Sequence, residues 1–283
     1  MKGIIVTNGY YKSVPYTHQV ERLCQEFEKQ SIIVGVYENR FPVKINKTFD
    51  ADFAVFLDKD INLAQIMENQ GIMVFNNPKA IEIADSKIKT AITLQKYGVK
   101  MPLTIPAPIR YTYFPDYEYL KKTGETLGFP LIIKEDRGSL GTGVYLINNV
   151  EELIETDTKL SLTPRLYQQY IDKSKGKSYR VIVVGHKVVA AIMLNNETDF
   201  RSNANLGGKA AAVELSKNYI KAAEDISRYL ELNFCGIDFF VNEEMLLEVN
   251  SNAFFMTAEK ISGKNVAKAY VDNIINTVGR KII

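Results

Sequence analysis

The chain has 283 residues, with 35 Lys+Arg against 33 Asp+Glu and a formal net charge of +2, so it offers no global field for nucleic acid or an anionic membrane surface. Its 46% hydrophobic and 24% charged residues argue against disorder, collagen or a coiled coil. Two cysteines, Cys24 and Cys235, and two histidines, His18 and His186, supply neither a disulfide framework, a four-Cys zinc site nor a His-rich metal site.

The cysteine usage suits a reducing, cytoplasmic compartment. The apolar run at 4–6 is too short for a signal peptide, and no window approaches the roughly 20 apolar residues of a membrane span. In chain order, GIIVTN at 3–8 predicts a buried strand ending in a turn, and Val20, Leu23, Cys24 and Phe27 mark a helix over 16–30. Strands follow at 31–37, 51–58 and 72–76, with a helix over 62–70 between the last two. Strands alternating with helices point to a parallel sheet, so residues 1–78 read as a small open α/β domain. It lacks the G-x-G-x-x-G turn of a dinucleotide site.

Residues 79–111 read as linker helices, one opened by Pro78 and one over 86–97, then a proline-rich connecting strand, PLTIPAP at 102–108. FPLIIKED at 129–136 is a strand, followed by a Gly-rich loop over 138–143, a strand at 144–148 and a short acidic helix at 150–156. LYQQYI at 166–171 is a further strand, and 179–194 holds two strands around Gly185-His186. An amphipathic helix at 216–230 precedes two strands within 235–252 that turn at 242–244, and a helix over 266–278 closes the chain.

Three groupings could carry chemistry. Asp238 lies on the first strand of the 235–252 hairpin, and Glu248 and Asn250 lie on the second. Residues i and i+2 of a strand share a face, so Glu248 and Asn250 point together, with Asp238 able to sit across from them. Such oxygen donors suit Mg²⁺; the plainer alternative is a solvated hairpin face. Lys134 ends an apolar strand just before Gly138-Ser139-Leu140-Gly141-Thr142-Gly143, where glycines let backbone N–H groups approach phosphates. This is not a P-loop, and an ordinary glycine turn with a surface lysine is the alternative. In FRSNANLGG at 200–208, Arg201 and Asn203 alternate as on a strand; an Arg can hold phosphate and an Asn support an oxyanion, or the segment is a polar loop. His18, His186, Cys24 and Cys235 read as surface or small core residues, and Asp60 as a helix N-cap, although Asp58-Lys59-Asp60 lies at a strand end where open α/β sheets bind ligands.

Taken in order, Lys87, Lys134 with its Gly loop, QQYI at 168–171, Arg201-x-Asn203 and Asp238…Glu248-x-Asn250 resemble the ATP-grasp superfamily, most closely its RimK-type amino-acid ligases. The resemblance covers residues 76 to 280 and implies an ATP-grasp fold with an N-terminal Rossmann-like pre-ATP-grasp domain, a lid over 112–172 and a C-terminal subdomain over 173–283 that carries the metal site. It implies that Lys87 and Lys134 contact ATP phosphates, that the loop at Ser139, Gly141 and Gly143 closes over them, and that Gln169, Tyr170 and Ile171 hold adenine. It further implies Mg²⁺, or Mn²⁺ in its place, on Asp238, Glu248 and Asn250, with Arg201 and Asn203 as catalytic residues beside the transferred phosphate. Ser178 stands where the family commonly has a nucleotide-contacting Asp, and Asn205-Leu206 where ribosomal-protein-modifying members carry His-Arg. The implied reaction phosphorylates a carboxylate with ATP and then transfers the acyl group to an amine, adding an amino acid such as glutamate to a peptide, carrier protein or small molecule. Nucleic acid and membrane are not expected partners; homo-oligomers are common in the resembled family. The alternatives are an ATP-grasp kinase and a non-catalytic ATP-binding module.

Overall fold

A computed structural model describes residues 1–139, 141–202 and 208–282. The first unit is a parallel sheet in the order β2-β1-β3-β4, built from β1 (Lys2–Thr7), β2 (Ile33–Glu38), β3 (Phe53–Leu57) and β4 (Met73–Phe75), with α1 (Val14–Lys29) and α2 (Ile61–Glu68) as crossovers. All five residues of β3 are buried, as the unbroken apolar run FAVFL requires of a central strand covered on both faces. Asp60 caps α2 by accepting from the Leu63 N–H at 3.0 Å, as anticipated.

The linker helices are α3 (Pro78–Asp85) and α4 (Lys87–Gln95). The proline-rich stretch then enters a sheet as β5 (Thr104–Pro106), in the order β5-β8-β6-β7 with β6 (Leu131–Glu135), β7 (Val144–Ile147) and β8 (Arg165–Gln169). Helices α5 (Tyr117–Leu127) and α6 (Val150–Lys159) cover it. The third sheet is antiparallel, β11-β10-β9-β12-β13, from β9 (Lys177–Val184), β10 (Lys187–Asn195), β11 (Lys209–Ala212), β12 (Phe234–Phe240) and β13 (Leu246–Asn250). Its helices are α7 (Lys217–Tyr229), α8 (Met256–Ser262) and α9 (Val266–Ile282).

Three elements were not anticipated: α5, α8 and β11. Helix α5 contains Gly124, where a Cβ would come within 2.8 Å of the Phe129 ring, so a residue that weakens helical propensity is there for close packing. Alanine-rich β11 is a poor strand by propensity and owes its pairing to the edge of β10. In the other direction, Arg201 lies in a bend and not on a strand, because the segment loops back for the Phe200 carbonyl to accept from the Gly176 N–H at 2.9 Å. Asn203, with Asn205 and Leu206, lies outside the described residues.

One apolar core joins the first and third sheets, with Ile5, Phe53 and Phe75 in the same cluster as Ile182, Phe234 and Tyr270. Asn76, 1% exposed, fastens the seam. Its amide donates to the Phe234 carbonyl at 2.7 Å and the Ser251 carbonyl at 2.9 Å, and its carbonyl accepts from the Phe234 N–H at 3.0 Å. No helix among the described residues is long and apolar enough to cross a membrane. Asn76→Ala strands three buried backbone groups, so it should lower the unfolding free energy by about 2–4 kcal/mol, read from urea denaturation.

Candidate active site

The centre of the site is a row of three side chains across neighbouring strands. Glu248 on β13 stands opposite Asp238 on β12, which stands opposite Arg180 on β9. A register shift follows Asp238, and Phe239 pairs with Leu246. This β-bulge leaves Leu247 as the extra residue of β13. Arg180 binds Asp238 bidentately, Nε to Oδ1 at 2.8 Å and Nη2 to Oδ2 at 2.6 Å. The adjacent row, Val181, Ile237 and Val249, packs into the apolar core under α7, which is the alternation that a half-buried sheet demands. Asn250 follows Glu248 on the same face, and its amide donates to Glu248 Oε1 at 3.1 Å.

Burial pushes the Asp238 carboxyl up, and the facing Glu248 adds to the shift against the pull of Arg180. Burial also acts to raise the half-buried Glu248, but Arg180, then the Asn250 amide, Lys134 and Lys87 together hold it below the usual carboxylate range. Two carboxylates side by side repel, and oxygen donors so crowded suit a hard divalent cation.

Two lysines approach, one from β6 and one from the start of α4. Lys134 on β6 is 7% exposed, and burial pushes its ammonium down to about 8, with Glu248 opposing and Lys87 reinforcing. Burial likewise lowers Lys87. Lys87 opens α4 directly after its N-cap Ser86, and Asp136, just past β6, ties that helix start to the second sheet. Asp136 Oδ1 accepts from the Ser86 hydroxyl at 2.8 Å and the Ile88 N–H at 2.9 Å. The Lys87 ammonium then reaches the Gly138 carbonyl at 3.3 Å. In the loop, Gly143 has φ +67, and a Cβ there would lie 2.8 Å from Glu135, so only glycine fits. Thr142 closes the turn by donating from its hydroxyl to the Ser139 carbonyl at 2.8 Å.

Arg201 is held by Asp199, Nε to Oδ1 at 3.0 Å and Nη2 to Oδ2 at 2.7 Å, and Nη1 donates to the Gly141 carbonyl at 2.7 Å. Gln169, Tyr170 and Ile171 line a cavity between the second and third sheets together with Lys134, Asp238 and Glu248. Leu247, the bulged residue, lines it too. Ser178 is fully buried beneath this wall, its hydroxyl 2.6 Å from that of Ser202. Sequence reasoning missed Arg180, Asp136 and Asp199. The alternation of Ser178 and Arg180 along β9 was a signal for the first of these, because it puts both on one face.

Two sheets closing on Lys134, Lys87 and an Asp/Glu/Asn set define the ATP-grasp architecture. D-alanine–D-alanine ligase from Bacillus anthracis superposes with a TM-score of 0.75 at 19% identity, over 99% of this chain and 98% of that one. The ATP-grasp ligase PsnB complexed with minimal precursor, Mg and ADP does so with a TM-score of 0.71 at 15% identity, over 98% of each chain. A family model of the RimK-like ATP-grasp domain matches residues 84–274, and the chain belongs to this family of carbon–nitrogen ligases. An uncharacterized protein of Mycoplasma pneumoniae is 36% identical over 217 residues, 74% of this chain and 75% of that protein. The probable alpha-L-glutamate ligase of Vibrio parahaemolyticus is 33% identical over 215 residues, 73% and 68%. Human N-acetylaspartylglutamate synthase A is 30% identical over 226 residues, 76% of this chain but only 55% of the synthase.

With Lys134 pushed down to about 8, the free protein loses this cation as pH rises through 8, whereas a bound phosphate favours its protonated form. Nucleotide affinity should fall about tenfold per pH unit above 8, with proton uptake on binding. Calorimetric titrations at pH 7 and 9, in buffers of different ionisation enthalpy, test this; Lys134→Arg should flatten the profile.

Proposed function

We propose that the chain is an ATP- and Mg²⁺-dependent carboxylate–amine ligase acting through an acyl phosphate. It joins an amino acid, glutamate being the expected one, to a peptide, carrier-protein or small-molecule carboxylate. The observation that carries this reading is the Glu248–Asp238–Arg180 row, with Asp238 buried at its centre and Lys134 and Lys87 beside it. The donor set fits the metal: Asp238 and Glu248 offer carboxylate oxygens, and Asn250, which uses its amide on Glu248, keeps its own oxygen as a donor. When bound, Mg²⁺, or Mn²⁺ in its place, supplies positive charge to the phosphate oxygens.

In this reading the adenine lies in the cavity between the second and third sheets, against Leu247 and the backbone of 169–171. Lys87 and Lys134 hold the phosphates, and the loop with Ser139, Gly141 and Gly143 closes the lid of 112–172 over them. Arg201, oriented by Asp199, and Asn203 attend the transferred phosphate, and Ser178 supports the wall through Ser202. The units at 1–78 and 173–283 enclose the acceptor side, joined through the helices and strand of 79–111. A carboxylate oxygen attacks the γ-phosphorus and ADP leaves; the amine nitrogen attacks the acyl carbon and phosphate leaves. Orientation and charge neutralisation are the protein's contribution, so no nucleophilic side chain is required.

The double variant Glu248→Gln, Asn250→Ala should abolish ATP-dependent turnover; activity that survives it sinks the metal assignment. Lys134→Met should weaken ATP binding about tenfold or more by calorimetry, and unchanged affinity overturns its phosphate role.

A further inference from the structure

We propose that the cavity between the first and third sheets takes a small monocarboxylic acid with an uncharged, apolar body, and that Asp58 disfavours a second carboxylate. This rests on the ligase reading above and names the chemistry of its carboxylate substrate.

The cavity holds about 280 Å³ and is lined by residues of both sheets, from Asn8 and Asp58 on one side to Arg180, Glu248 and Asn250 on the other. That volume lies near the lower end of the ~300–1,000 Å³ usual for small-ligand sites. Its wall is aromatic. Tyr11, Tyr16 and Phe254 cluster with ring centroids 5.5, 6.2 and 5.9 Å apart, and Ile192 and Leu194 complete the apolar surface. The Tyr16 hydroxyl is committed within the protein, accepting from the Asn8 N–H at 2.7 Å and donating to the Leu57 carbonyl at 2.8 Å. It therefore presents its ring, not its hydroxyl, to an occupant.

The charges are distributed unevenly. Arg180 and Glu248 belong to the reaction centre, and Lys59 also lines the neighbouring cavity that holds Lys87 and Lys134. Cations thus gather where an acid must meet the γ-phosphate. Besides Arg180, Glu248 and Lys59, the charged residue of the lining is Asp58. It accepts from the Asn8 amide at 3.1 Å, from the Lys59 backbone N–H at 2.7 Å and from the Asn39 amide. All three donors are neutral, while the Lys59 ammonium pairs with Asp85. A dicarboxylate would place its second charge against aromatic and aliphatic carbon, facing an anion, an arrangement that selects against it.

Hydroxylamine can stand in for the amine. With ATP and Mg²⁺, the acid's oxygen attacks the γ-phosphorus and ADP leaves. The hydroxylamine nitrogen then attacks the acyl carbon, phosphate leaves, and the hydroxamate is measured colorimetrically. The probe acids are hexanoate, 3-phenylpropanoate and glutarate. The expected result is a kcat/KM for at least one of the two apolar acids about tenfold or more above that for glutarate. Phe254→Ala should shrink that ratio, and Asp58→Asn should raise glutarate relative to hexanoate, with thermal melts confirming that each variant is folded. Preference for glutarate, or no hydroxamate from either apolar acid in a protein that binds ATP, overturns this inference and leaves the ligase reading standing. Absence of ATP binding by calorimetry overturns the ligase reading and this one with it.

Discussion

Two carboxylates that face one another in a buried setting are the constraint from which the site follows. Asp238 and Glu248 are cross-strand neighbours by register, and like charges so placed are destabilising unless cations answer them. The answer comes from three directions. Arg180 closes on Asp238 from the next strand with two short hydrogen bonds, and Lys134 and Lys87 help to hold Glu248 ionised. Removing one partner of such a buried set costs more than the set contributes as a whole, because the remaining charge is left unmatched. The lysines are themselves disfavoured as cations by burial, and under the proposed function the cluster takes further charge, a divalent cation on one side and phosphate on the other.

The scaffold explains why these groups meet. The third sheet supplies the carboxylates on one face and buries Val181, Ile237 and Val249 on the other. The second sheet brings Lys134 on β6 and, through Asp136, fixes the start of α4 and with it Lys87. The contact of Arg201 with the Gly141 carbonyl spans 60 residues and links the glycine loop after β6 to the third sheet's side of the cleft. The first sheet takes no part in the charge row. Fastened by Asn76, it contributes one wall of the cavity between the first and third sheets from the carboxyl ends of β1 and β3, where open α/β sheets characteristically meet ligands.

Most of the strands and helices were legible because they are short apolar runs, as in β6 and β12, or carry apolar residues spaced near 3.6, as in α7. The candidate site was legible where spacing is local. Glu248 and Asn250 share a face because they are two apart, and Asp238 is brought to them by a hairpin with a short turn. Helix α5 was hidden by Gly124, which serves packing against Phe129, and β11 by its alanines. The strand reading of Arg201 failed because the 200–202 segment is drawn away by a long-range hydrogen bond to Gly176, which no local pattern encodes.

The sequence by itself determined the order of the units, the lysine before the glycine loop and the carboxylate–amide set, together with the family resemblance that they carry. These depend on neighbours in the chain, where periodicity and turn chemistry act. Only the tertiary structure decided that Arg180 completes the carboxylate row, that Asp199 and Asp136 position other residues, and that Asp58, Tyr16 and Phe254 face the same cavity as Glu248. Tyr16 and Phe254 lie more than two hundred residues apart in the chain, yet their rings are 5.9 Å apart. Their meeting depends on how the first and third sheets pack around one shared core, and burial of apolar surface, which drives that packing, is non-directional and leaves no local mark in the sequence.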